Sequence, residues 1–315
     1  MTRGAATVVL AAVIASTLVL AGCRGGGGPA RRERPLVGVT LLTQTHTFYK
    51  DLEDALRKEA ASRNLDLIVD ACEMDPTKQA AQIENFVAQR VDAILAAPCD
   101  SDAVAAQLAS PQAAGIPVFT VDIAARGGAV VSHIASDNTQ GGRLAARTLA
   151  ELLNGTGAVI VIDHPEVASV QDRTRGFDEE IRKHPGITVV GRPSASGQRA
   201  RAMAVMEDML QAHGDLRGVF AINDDSALGA LSVLDAAGRK DVVIVGFDAT
   251  QEAQEAIRKG GALKADVMQY PTKLGTTAID IIAKHLAGEQ VPSSVPVEVN
   301  VVTAATLAAT AAEPR

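Results

Sequence analysis

Residues 216–248 read LRGVFAINDDSALGALSVLDAAGRKDVVIVGFD. The apolar run 218–222 has the length of a buried strand and ends on the polar pair Asn223-Asp224. Residues 226–237 then repeat small and apolar side chains at three- and four-residue spacing. That spacing predicts a helix, closed at Gly238, where the left-handed conformation costs glycine little. A second apolar run, 242–246, leads into Phe247-Asp248. Strand, helix and strand, with a polar residue following each strand, form the unit of a parallel sheet flanked by helices.

The same alternation extends in both directions. Upstream, strands are expected at 36–42, 65–69, 93–97, 117–121 and 130–134, with helices at 49–63, 78–89 and 103–114. Beyond Asp137 a second series places strands at 158–162, 188–190, 218–222, 242–246 and 263–267. Its helices are 141–153, 174–183, 200–212, 226–237 and 251–259. A helix at 271–286 and one late strand, 295–301, exceed what two five-strand units require, so they are expected to return to the first unit. The fold class is therefore α/β, with two Rossmann-like lobes that are discontinuous in sequence. The Ala/Thr-rich end, 303–315, reads as a packed coil or frayed helix with no assigned function.

The chain has 315 residues, is 47% hydrophobic and carries a formal net charge of -7, enough to bury a sizeable core. The acidic balance, with no dense Lys/Arg stripe, argues against a nucleic-acid surface. At the N-terminus, Arg3 precedes an apolar run, 5–21, interrupted by Thr7, Ser16 and Thr17. Residues 1–22 thus read as a signal peptide; the run is short for a membrane span. Leu20-Ala21-Gly22-Cys23 resembles the bacterial lipobox, which implies lipidation of Cys23 and an exported protein held at the cell membrane, on its outer face or in the periplasm. Residues 23–35, with Gly25 to Gly28 and a charged cluster, lack apolar periodicity and read as a flexible tether. Cys72 and Cys99 remain, as a disulfide or as two separate buried thiols.

A search for catalytic signatures finds no GxSxG, Walker A or HExxH sequence, and the six His residues have no metal-ligand spacing. No enzyme activity, metal or cofactor is expected. Polar residues do occur where strands end: Asp122, Asn223, Asp224 and Asp248. In doubly wound sheets ligands bind outside the carboxyl ends of strands, and carboxylates and amides suit the hydroxyls of a neutral polyol.

Residues 130–138 (VVSHIASDN), 220–224 (FAIND), 227–230 (ALGA) and 245–248 (VGFD) resemble the ribose-binding protein and its relatives. The resemblance runs from about 36 to 302 and implies a type I periplasmic binding protein, closing by a hinge on a small sugar or polyol for the permease of an ABC importer. It implies a first lobe of 36–136 plus 270–298, a second of 137–269 plus 299–315, and crossovers near Ser136-Asp137, Gln269-Tyr270 and Glu298-Val299. A monomer is expected. Ligand positions carried over from the family are His46, Phe48, Tyr49, Asp122, Arg173, Asn223, Asp248 and Gln269. Phe48 and Tyr49 would supply ring faces for a pyranose. Asn223, Asp248 and Gln269 are alternatively helix caps. Three departures put ribose itself in doubt: His46 replaces an Asn, Ile123 stands where the ribose binder has an Arg, and the chain is one residue longer around Ser196 and lacks an aromatic there. The rivals are an exported sensor that presents its ligand to a membrane receptor and a Lac-repressor-like regulator, which would need an N-terminal helix-turn-helix.

Overall fold

The computed structural model describes residues 1–2 and 32–312. The expected signal peptide beyond Thr2, the lipidation site Cys23 and the tether as far as Arg31 lie outside the described residues. The rest builds two six-stranded sheets.

The first sheet contains β1 (Leu36–Leu41), β2 (Asp66–Ala71), β3 (Ala93–Ala96), β4 (Val118–Val121), β5 (Ser132–Ser136) and β11 (Ser294–Val297), in the order β11-β5-β4-β3-β1-β2. All its pairings are parallel. The second contains β6 (Thr156–Ile162), β7 (Gly186–Gly191), β8 (Leu216–Ala221), β9 (Val243–Asp248), β10 (Leu263–Met268) and β12 (Asn300–Thr303), ordered β12-β10-β9-β8-β6-β7. Only β12 is antiparallel to its neighbour. Strand order reverses beside β1 in one sheet and beside β6 in the other, the switch point at which such folds open a crevice.

Helices cover both sheets. Around the first are α1 (Thr47–Ser62), α2 (Pro76–Ala88), α3 (Val104–Gln107), α4 (Ala109–Ala113) and α10 (Pro271–Leu286), the last packed on α1, β4 and β5. Around the second are α5 (Asn138–Leu152), α6 (Ala168–Ile181), α7 (Arg199–Ala212), α8 (Asp224–Ala236), α9 (Gln251–Lys259) and α11 (Ala304–Ala312). Strands β3 and β4 expose none of their residues, as expected of a sheet covered on both faces. The chain passes between the sheets three times, between β5 and α5, between β10 and α10, and between β11 and β12.

Three expectations from the sequence need correction, and the open reading of the C-terminal end is resolved. The helix expected at 103–114 is two short pieces, because Pro111 has no N–H to offer the Gln107 carbonyl and its ring crowds that turn. The single late strand at 295–301 is two strands, one in each sheet, with Glu298 and Val299 between them. Residues 304–312 form a helix that packs on α9 and β12, with Leu307 buried. Helix α6 begins at Ala168 rather than 174. Its start has no local side-chain cap; instead the Ala168 N–H donates to Ser101 Oγ of the other lobe at 2.9 Å, so no cap is written into the adjoining sequence.

Close packing of α5 on α6 fixes the frame of the cleft. A methyl group on Gly142 would strike the Arg173 carbonyl, and one on Gly176 the Thr139 carbonyl, so glycine at both places lets the two backbones touch.

Cys72 follows β2, Cys99 lies beyond β3, and the structure joins their sulfurs, with Cα atoms 6.8 Å apart. The separation of 27 residues gives about 3.5 kcal/mol of stabilisation by chain-entropy arithmetic. Titration of the unreduced, unfolded mature domain is expected to find no free thiol at these positions, and reduction to lower the unfolding midpoint. Two titratable thiols would show that the bond is absent from the protein.

Candidate ligand-binding cleft

One wall of the cleft begins at the end of β1. His46 is the N-cap residue of α1, and Phe48 and Tyr49 occupy its first turn, both buried, their rings edge-to-face at 5.2 Å. Asp122 follows β4 in a left-handed conformation, φ +64°, one that aspartate tolerates better than most residues. The Tyr49 hydroxyl donates to Asp122 Oδ2 at 2.5 Å, while Oδ1 is buried without a partner. Ile123, 1% exposed, adds an apolar patch beside it.

The opposite wall is organised by Arg173, 4% exposed on α6. Its Nε donates to Asn138 Oδ1 at 2.7 Å, its Nη1 to the Ile222 carbonyl at 2.7 Å, and its guanidinium lies 3.9 Å over the Phe247 ring. Such stacking on a desolvated aromatic face is favourable and leaves the fork in one orientation. Among the described residues Nη2 has no hydrogen-bond partner. Asp248, at the end of β9, accepts from Gln269 Nε2 at 2.7 Å through Oδ1 and from the Asp224 N–H at 3.4 Å through Oδ2. Gln269 Oε1 is buried and unpartnered. Asn223 caps α8: its Oδ1 accepts from the Ser226 N–H, and its Nδ2 donates to the Gly197 carbonyl, both at 3.0 Å.

Burial pushes the Asp122 carboxyl above the ordinary carboxylate range, with Arg173 pulling the other way. Asp248 keeps some surface at the residue level, yet its carboxyl is enclosed: burial, then the charge of Asp224, drive it well above the ordinary value, again against Arg173. Burial raises Tyr49 well above a free phenol, reinforced by Asp122. His46 lies 3.4 Å from Asp225 of the second lobe, and burial lowers its basicity more than Asp225 restores it. The cleft thus joins one fixed cation, two enclosed carboxyls and two orphaned acceptors.

His46, Phe48, Tyr49, Asp122, Ile123, Arg173, Asn223, Asp248 and Gln269 all line one interlobe cavity of about 40 Å³, several times the roughly 10–15 Å³ that one water needs. Ser196 is not among its lining residues; its hydroxyl accepts from Arg201. Sequence reasoning missed Leu42, Val167, Ser169, Val170 and Ile222 of the cavity wall; Ser169 and Val170 lie in the first turn of α6, capped from the other lobe, and Val167 just precedes it. It also gave no role to Asn138, which orients Arg173 and sits in the quoted stretch 130–138. No group of three or more His, Cys, Asp or Glu side chains among the described residues is placed to hold a metal ion.

Residues 37–290 match the family model described as periplasmic binding protein domain. The chain is 34% identical over 267 residues to the ribose import binding protein RbsB of Salmonella typhimurium, covering 84% of this chain and 90% of that protein. It is 29% identical over 279 residues to the xylitol-binding protein of Mycolicibacterium smegmatis, covering 87% and 80%. Among solved structures, an ABC transporter solute-binding protein from Mycobacterium smegmatis with bound glycerol superposes with a TM-score of 0.84 at 33% identity, covering 89% of this chain and 98% of that one. These relatives are named as binding proteins, not enzymes. With the matched model spanning both lobes, the chain belongs to the periplasmic binding protein family.

Proposed function

We propose that this protein is the substrate-binding component of an ABC importer, that it captures a small sugar or polyol between its lobes as a monomer, and that lipid on Cys23 holds it at the membrane. The convergence of Arg173 with the unpartnered Asp122 Oδ1 and Gln269 Oε1 on one cavity carries this reading. Hydroxyl groups of a neutral ligand would donate to the two acceptors and accept from Nη2, relieving buried polar atoms that are costly to leave unpaired. Phe48 and Tyr49 offer ring faces to its C–H surfaces. Relatives named for ribose and xylitol, and one solved with glycerol, support the chemical class.

The three passages between the sheets, near Ser136-Asp137, Gln269-Tyr270 and Glu298-Val299, serve as the hinge, and divide the chain into lobes of 36–136 plus 270–298 and 137–269 plus 299–315. Closure of hinged lobes around a ligand is the general motion of such proteins. Contacts such as Ser101 with Ala168 join the lobes in the form described here. Ile123 cannot satisfy a hydroxyl, so the ligand presents a hydrogen, methyl or ring face to it, and ribose is expected to bind at least about tenfold worse than the preferred ligand, or about 1.4 kcal/mol.

A thermal-shift screen against pentoses, hexoses, deoxy sugars and polyols tests the ligand class. Ligand at about 100 times its dissociation constant adds about 2.7 kcal/mol, which moves the midpoint by several degrees. No shift with any of them would overturn the proposed class. For the anchor, Cys23→Ala is expected to release the protein from membranes and to abolish incorporation of labelled palmitate. Membrane retention of the variant, with no label in the wild type, would refute lipidation.

A further inference from the structure

Two more carboxyls are sealed behind Asp248. Asp266, in the middle of β10, is fully buried, and Asp224, the first residue of α8, is 3% exposed. Neither lines the cavity. Each holds the turn that follows Asp248: Asp266 Oδ1 accepts from the Ala249 N–H at 3.1 Å, and Asp224 Oδ2 accepts from the Thr250 N–H at 2.6 Å. The Asp224 N–H in turn donates to Asp248 itself. The turn needs holding, since Asp248 and Ala249 adopt φ of +116° and +54°, conformations that L-residues rarely keep unless their surroundings impose them. Gly246 makes the room: a methyl there would strike the Asp266 carboxyl.

The other oxygens, Asp224 Oδ1 and Asp266 Oδ2, are buried without a hydrogen-bond partner, and because their sister oxygens hold the consecutive Ala249 and Thr250 N–H groups the two carboxyls come side by side. Two carboxyls lie side by side without repulsion only with a proton between them. The charged groups facing the pair are Asp225 on α8 and Asp248 on β9, both acidic. Arg199 is engaged with Asp225 and Glu252, and Arg173 acts on Asp248. No neighbouring cation therefore favours full ionisation of the pair.

We propose that Asp224 and Asp266 hold one proton between them and that this pair, through Ala249 and Thr250, positions Asp248 for the ligand, so that affinity falls when the proton is lost at alkaline pH. This rests on the sugar-binding role proposed for Asp248. Asp266 is a positioning residue, since it reaches the ligand only through another side chain. The electrostatics agree: burial raises Asp224 to about 6, and burial together with the charge of Asp224 raises Asp266 well above the ordinary carboxyl value.

The test compares the mature wild type with Asp266→Asn and Asp266→Ala. Asparagine keeps an acceptor for the Ala249 N–H and supplies a permanent N–H for Asp224 Oδ1, so it mimics the protonated pair at every pH. In the wild type the folded pair binds a proton more tightly than unfolded carboxyls, which titrate near pH 4. The native state then holds more protons than the unfolded one, and this contribution to stability is full below about pH 4 and lost as pH rises through the folded values. The unfolding midpoint of the wild type should therefore fall more steeply between about pH 5 and pH 9 than that of Asp266→Asn. Titration with xylitol and with D-ribose should show wild-type affinity at least about tenfold weaker at about pH 9 than at about pH 6. Asp266→Asn should match the wild type within about threefold at the lower pH and lose less affinity than it as pH rises, the remaining loss coming from Asp122 and Asp248, and Asp266→Ala should be at least about tenfold weaker at both. Parallel midpoint profiles for wild type and Asp266→Asn, or an Asp266→Asn variant as weak as Asp266→Ala at the lower pH, would overturn the proposal. If neither sugar binds the wild type, it is the choice of ligand that has failed. The midpoint profiles then still decide the shared proton, and amide exchange at Ala249 and Thr250 decides the positioning. Faster exchange in Asp266→Ala but not in Asp266→Asn supports it, and equal rates in all three proteins refute it.

Discussion

Asp248→Asn is expected to weaken sugar binding at least about a hundredfold while leaving the protein folded, because a carboxyl kept beside Arg173 can accept ligand hydroxyl hydrogens through both oxygens and the amide through only one. Hydrogen bonds to a charged group contribute roughly 1.5–3 kcal/mol each, and a carboxylate at a strand end can serve two hydroxyls. Asparagine is the informative substitution, since the backbone at this position has a φ of +116°, where alanine would add strain of its own. The pH dependence of the stability change separates a ligand-binding carboxyl from a structural one. Burial and the neighbouring Asp224 hold the Asp248 carboxyl well above its unfolded value, so its ionisation is penalised in the folded state as pH rises. A neutral side chain removes that penalty, although its amide nitrogen then faces one of the two donors that Asp248 accepts from, so the fall of the unfolding midpoint with rising pH should be shallower in the variant. An unchanged dissociation constant by calorimetry would misplace the site; a lost fold would make Asp248 a core residue instead.

Arg173 should be the least replaceable residue of the cleft. Arg173→Lys keeps the charge but cannot reach Asn138 and the Ile222 carbonyl together while lying over Phe247, and it should cost at least about tenfold in affinity. Arg173→Met removes the cation that opposes burial at both Asp122 and Asp248. Removing one partner from a buried charge network costs about 3–5 kcal/mol of stability, and binding at neutral pH should be lost at least about a hundredfold. Calorimetry and chemical denaturation of both variants check this. Lysine indistinguishable from arginine in affinity would mean that the guanidinium only fills space.

Much of this fold is legible in the sequence because each strand is a short apolar run and most helices carry an amphipathic face. Residues 251–259 and 271–286 were readable to the residue: Thr250 and Gly260 bracket the first, and Pro271 opens the second. The start of α6 was not, since its cap, Ser101, lies 67 residues upstream in the other lobe. Nor was the division of 295–301 between two sheets, because one extended run of alternating residues can pair with either. The candidate cleft residues are visible from sequence where they follow a strand or open a helix, as Asp122, Asn223 and Asp248 do. Ser169 and Val170 join the cavity only through α6, and Asp266 reads as an ordinary strand residue until Gly246 and Ala249 are seen against it.

The proposed capture of a polyol between the lobes is tested most directly by a crystal structure of the mature protein grown with the tightest ligand from the thermal screen. The expected result is one ligand in the cavity, its hydroxyls on Asp122 Oδ1, Gln269 Oε1, Asp248 and Arg173 Nη2, with an apolar face against Ile123 and ring contacts from Phe48 or Tyr49. A ligand bound outside this cavity, or one in it that leaves both orphaned acceptors unpaired, would contradict the account.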